Sequence, residues 1–200
     1  MTDPTQHLWW LASRASGLVA LVLVTLSVVL GLAMAGKVAR RPGWPRALLA
    51  VHEQSSVVAL LAIAVHAGTL AGDQWLRPGI AGVTVPFAMS YRPAFTGIGV
   101  LAAYLSALLG LSFYARRRLG AKRWRAAHRL TIITYIMVVV HVLGAGTDAG
   151  TPWLRGFLAG TIVPIVVLLA VRVRAAGRQA APRAARASPS AVRTVRSSEM

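Results

Sequence analysis

Residues 17–36, GLVALVLVTLSVVLGLAMAG, contain no charged side chain. At about 1.5 Å per residue, a helix of this length spans about 30 Å, the thickness of a bilayer's hydrocarbon core. Further apolar blocks follow at about 47–72, 93–115, 126–146 and 156–173. They are long blocks rather than the narrow stripes of soluble amphipathic helices. The expected fold class is therefore all-α: a polytopic membrane helical bundle of about five transmembrane helices. The first block is too long for a signal-peptide core and has no basic segment before it, so it is expected to be retained.

Composition narrows the chemistry. Of the 200 residues, 56% are hydrophobic and only 14% charged, as a membrane domain requires. There is no cysteine, which excludes disulfides, thiolate zinc sites, iron–sulfur clusters and thiol catalysis. The net charge of +17 could point to nucleic acid. Its placement argues otherwise, because Lys and Arg fall between and after the apolar blocks. The first loop, the third loop (RRRLGAKRWR, 116–125, with Arg129) and the tail from Arg172 hold 18 of the 22 Lys and Arg. By the positive-inside tendency these segments face the cytoplasm, with the N-terminus outside and the C-terminus inside. All six tryptophans lie at or just outside block ends, as in an aromatic belt. The expected division is an extracytoplasmic segment at 1–16, a membrane domain at 17–173, and a disordered basic cytoplasmic tail at 174–200. The expected location is the cell membrane, with the lipid bilayer as one partner and no nucleic acid.

Histidine placement carries the functional signal. His52 and His66 lie 14 residues apart in the second block, and His128 and His141 lie 13 apart in the fourth. These intervals correspond to roughly 20 Å along a helix. Both helices run outward in the expected topology, so His52 shares a depth with His128, and His66 with His141. Fourteen residues return to within about 40° of the starting face, whereas thirteen land roughly 140° away. The His128–His141 helix must therefore be locally distorted, or must present its two rings from different sides.

Imidazole is a good neutral ligand, and two axial imidazoles fill both open positions of haem iron. Two stacked sites of this kind would form a path for single electrons through a layer that ions do not cross. The competing readings are four unrelated intramembrane histidines, or a haem-free transporter or channel using them for protons or metal ions. His7 lies outside both pairs and reads as a surface residue.

His52/His66, His128/His141 and the HRL at 128–130 resemble the ferric reductase-like transmembrane domain family. That family includes the membrane parts of ferric reductases and NADPH oxidases, and the haem-binding membrane subunit of bacterial methionine sulfoxide reductase systems. The resemblance covers about 17–173. It implies two non-covalently held b-type haems, ligated by His52, His66, His128 and His141 as metal ligands, and an oxidoreductase subunit in electron transport. Many members have six spans rather than five, and Glu53 stands where members often have a basic residue.

Other residues take smaller roles. Arg129 is a candidate partner for a haem propionate, with a topology charge as the equal alternative. Glu53 reads as an interface residue, with a hydrogen bond to an imidazole as the alternative, and Asp148 as a loop cap, with approach to an external substrate as the alternative. Pro164 is expected to kink the fifth span. No glycine-rich dinucleotide fingerprint follows a strand, and the remaining residues leave no room for a flavin or nicotinamide domain. No catalytic residue is assigned. Electrons would come from a separate flavoprotein, its flavin included, or from quinol, and would leave to an extracytoplasmic acceptor. The basic third loop would attract an acidic partner and anionic lipid alike.

Overall fold

A computed structural model of the chain describes residues 7–36 and 42–186. In chain order the helices are α1 (Leu8–Ala35), α2 (Trp44–Ala71), α3 (Gly79–Thr84), α4 (Pro93–Leu111), α5 (Arg116–Leu119), α6 (Ala121–His128), α7 (Thr131–Ala145) and α8 (Pro152–Arg186). No strand occurs among the described residues. Among the described residues, five helical segments are long and apolar enough to cross a membrane: α1, α2, α4, α6 with α7, and Pro152–Arg174 of α8. The all-α, five-helix expectation holds.

Helix boundaries differ from the sequence reading at both ends. α1 starts at Leu8, not near residue 17, so most of the segment expected to precede the first span is helical. Nothing in LWWLASRAS breaks a helix, and its polar side chains find partners inside the protein: Ser13 and the loop residue Asp148 are buried, and Arg14 pairs with Asp148. At the other end, the sequence of 174–200 predicts no regular structure, whereas α8 continues to Arg186. Ala and Arg are strong helix formers and extend the span once it is nucleated. α8 also passes through Pro164 as one helix. Residues 187–200 lie outside the described residues, as do Lys37, Arg40 and Arg41 of the basic first loop.

α1 is the central post. It packs along α2 and also touches α7 and α8, while α4 lies against α7 and reaches α2. Leu21 of α1 meets Leu154 and Leu158 of α8, with Val138 and Val142 of α7 against them. Lower on the same seam, Leu32, Tyr135 and Ile165 join the same three helices. Between α1 and α2 the contact uses small and hydroxylated residues, and the Ser27 and Ser56 hydroxyls are 2.6 Å apart. Such residues let helices approach closely where lipid removes the hydrophobic incentive to associate. Large apolar side chains such as Leu61, Leu108 and Val163 point outward, as a lipid-facing surface allows.

The fourth span is two helices. α6 ends at His128, and α7 begins at Thr131. Around the join the backbone switches to i→i−3 hydrogen bonds: Leu130 N–H to Ala127 at 2.9 Å, and Ile133 N–H to Leu130 at 2.9 Å. Such bonds wind the chain tighter than an α-helix. Of the two options that the 13-residue interval left open, local distortion is the one found here.

Candidate functional site

The structure brings the four histidines together in two pairs. The ring centres of His52 and His128 are 6.2 Å apart, with planes at 89°. Those of His66 and His141 are 6.4 Å apart, with planes at 74°. These are the pairs expected from matched depth. With metal–imidazole bonds of about 2.0–2.1 Å, and ring nitrogens about 1.1 Å from ring centres, two imidazoles on one metal would stand about 6 Å apart. Both pairs have that separation.

Three of the rings are oriented by the same device. His52 Nδ1 lies 2.9 Å from the Ser27 carbonyl, His66 Nδ1 2.8 Å from the Ser13 carbonyl, and His141 Nδ1 2.9 Å from the Phe95 carbonyl. A carbonyl can only accept, so Nδ1 carries the proton in each ring and Nε2 keeps its lone pair free. A ring fixed this way is oriented and made more basic as a metal ligand.

Each of these carbonyls has a glycine four residues later, one turn along the same helix face. Gly17 follows Ser13, Gly31 follows Ser27, and Gly99 follows Phe95. A Cβ at 17 would stand 2.9 Å from His66 Nδ1, and one at 31 would stand 3.4 Å from His52 Cε1. One at 99 would run into the His141 ring. At 17 and 99 the missing side chain is what lets the ring reach the backbone, whereas at 31 a methyl would only come into ordinary contact. Sequence reasoning missed these residues, although α1 repeats Ser-x3-Gly at 13–17 and 27–31, with the same 14-residue interval as His52 and His66.

His128 is the exception. Its Nδ1 is buried and makes no hydrogen bond. The Leu109 carbonyl, 14 residues after Phe95, lies near this ring without completing a hydrogen bond to Nδ1. The position four residues beyond Leu109 holds Phe113, not glycine. Instead, Trp124 stacks on His128 with ring centres 5.0 Å apart and planes at 24°. Trp124 is itself held by its indole N–H, which donates to the Ser112 hydroxyl at 3.2 Å.

Each pair borders a cavity. The one at His52 and His128 measures about 410 Å³, and Arg125, Arg129 and Arg172 line it. Arg129 therefore lies where the sequence reading put it, beside the His52–His128 pair, and its Nε donates to the Arg125 carbonyl at 3.3 Å. From sequence, Arg125 and Arg172 carry only the topology signal. The cavity at His66 and His141 measures about 240 Å³ and includes Trp10, Arg14 and Tyr91. Val24, Ile63 and Ser106 border both cavities and form the layer between them.

Asp148 corrects an expectation. Its side chain does not cap the loop but accepts from Arg14 twice, Nε to Oδ2 at 2.8 Å and Nη2 to Oδ1 at 2.6 Å. The carboxylate is buried, and a forked guanidinium satisfies both of its oxygens. The capping carboxylate is instead Asp73, whose Oδ1 accepts from the N–H groups of Trp75 and Leu76. Glu53 is half-buried on α2 beside His52, and His7 is exposed at the start of α1.

Among the described residues no three His, Cys, Asp or Glu side chains converge as a cage for a bare ion. At each level the protein offers two imidazoles, a set suited to a metal whose remaining ligands arrive with it. The family model described as ferric reductase like transmembrane component matches residues 16–139, which contain three of the four paired histidines. No curated protein and no solved structure matches the chain.

Proposed function

From the premise that this chain belongs to the ferric reductase-like transmembrane component family, we propose that it carries single electrons across the membrane on two b-type haems. The inner haem would be held by His52 and His128, and the outer one by His66 and His141. The observation that carries this reading is the geometry of the two pairs. Ring centres stand 6.2 and 6.4 Å apart, and three Nδ1 atoms are committed to backbone carbonyls. The haem supplies reversible one-electron chemistry; the protein supplies axial nitrogens, orientation and a dry path.

The residues divide that work. Ser13, Ser27 and Phe95 hold three rings in the tautomer that leaves Nε2 available. Gly17 and Gly99 make space for the His66 and His141 rings. Arg129, with Arg125 and Arg172, supplies positive charge at the inner cavity, suited to pairing with propionate carboxylates. Val24, Ile63 and Ser106 keep the layer between the two cavities narrow and largely apolar. The lipid bilayer surrounds the bundle. The basic third loop faces a cytoplasmic flavoprotein or membrane quinol as donor, and the acceptor lies on the extracytoplasmic side. The chain is then the membrane subunit of a reductase system.

Haem content and visible spectra of purified protein test the proposal. We expect about two b-type haems per chain with six-coordinate, low-spin spectra. His66→Ala and His141→Ala should each remove the outer haem and leave the inner one. His52→Ala and His128→Ala should act on the inner haem. Protein expressed with ample haem but purified without it would sink this reading in favour of a proton or metal-ion pathway.

A further inference from the structure

Three of the four rings are anchored through Nδ1, and one is not. The difference coincides with a change at one position. At Ser13, Ser27 and Phe95 the residue one turn on is glycine, and the ring reaches the carbonyl. At Leu109 it is Phe113, and His128 Nδ1 remains unbonded. α4 also ends at Leu111, just before Phe113. His128 sits at the last position of α6, immediately before the break at 129–130. Its ring is positioned by stacking on Trp124, a contact that fixes the plane but not the distance along it.

Resting on the two-haem reading above, we infer that the inner site opens at His128. A small neutral ligand, with carbon monoxide as the probe, displaces the His128 imidazole from the reduced haem, while His52, His66 and His141 stay bound. The step is a ligand exchange. The His128 Nε2–iron bond breaks, the incoming carbon donates its lone pair at the vacated position, and no electron is gained or lost. Two features combine here. An imidazole whose Nδ1–H lacks an acceptor is a weaker donor. A ring at a helix end next to a break can also swing away at less cost than one in mid-helix. The inner site thus becomes a binding site for small ligands as well as an electron relay, and Phe113 and Trp124 are its positioning residues.

The test uses full-length protein purified with its haem and assayed first for haem content. After reduction with dithionite it is titrated with carbon monoxide, and the spectral change is read. About half of the haem should bind the ligand. The response should persist in His66→Ala, where only the inner pair is complete. Phe113→Gly gives position 113 the space found at 17 and 99, and should weaken carbon monoxide binding by roughly tenfold. Trp124→Ala should strengthen it. Wild-type protein that binds no carbon monoxide, or binds it at both haems, overturns the inference, as does Phe113→Gly that binds with undiminished affinity. Should Phe113→Gly fail to retain the inner haem, Trp124→Ala decides, and an unchanged affinity there overturns it. Protein without haem overturns the two-haem reading instead, and the two failures are separated by the initial haem assay.

Discussion

The glycines under the rings are graded by distance, and the grading is a prediction. An alanine Cβ at 99 would enter the His141 ring, one at 17 would stand 2.9 Å from His66, and one at 31 would stand 3.4 Å from His52. The last is ordinary van der Waals contact, so Gly31→Ala should be tolerated. Gly17→Ala should lower outer haem occupancy, and Gly99→Ala should abolish it while the inner haem remains. Gly68, which has nothing within 4 Å, serves as the neutral control. Haem-to-protein ratios and Soret spectra of the four variants check the order, and equal losses at 31 and 99 would contradict it. At this scale the four histidines were legible because their intervals are unusual in apolar sequence. Their carbonyl partners were not, since any residue has a carbonyl. The glycine four residues on is the readable trace of each, and only the doubled Ser-x3-Gly of α1 gives it a pattern.

Among the elements, α1 does more than span. Its first turns, read from sequence as a polar segment outside the bilayer, carry Ser13 to the His66 ring and Arg14 to Asp148. The Arg14–Asp148 pair ties α1 to the loop between α7 and α8 beside the outer cavity. Breaking one side of such a pair is worse than removing both, because a buried carboxylate is left without its cation. Arg14→Leu alone should therefore lower the melting temperature more than Arg14→Leu combined with Asp148→Leu. Thermal unfolding in detergent, followed by outer-haem absorbance, would show it, and strictly additive losses would exclude the coupling. The fourth span shows where sequence stops being informative. Its interval called for a distortion or for rings on different sides of the helix, yet no glycine or proline lies between Ala121 and Val142 to mark a break. The break at 129–130 is set by tertiary demand, since both His128 and His141 must face α2, and helix propensity yields to that.

For the whole molecule, the direction of electron flow depends on which ends face the cytoplasm. The two histidine levels are distinguished by their surroundings. His52 and His128 share a cavity with Arg125, Arg129 and Arg172, whereas the His66–His141 cavity contains one arginine, Arg14, already paired with Asp148. The bundle is thus electrostatically polar along its axis, and its basic end coincides with the segments expected inside. A cytoplasmic reporter fused after Arg174 should be active, and the same reporter inserted in the 73–92 loop should be silent. Stopped-flow reduction then adds direction. A donor supplied from the cytoplasmic side should reduce the inner haem in His66→Ala and His141→Ala protein, while delivery to an external acceptor stops. In His52→Ala and His128→Ala protein the outer haem should fill slowly or not at all from that side, because the level between it and the donor is gone. Reversed reporter activities would exchange inner and outer throughout. Rapid filling of the outer haem in the His52→Ala protein would mean that electrons do not pass the two levels in series.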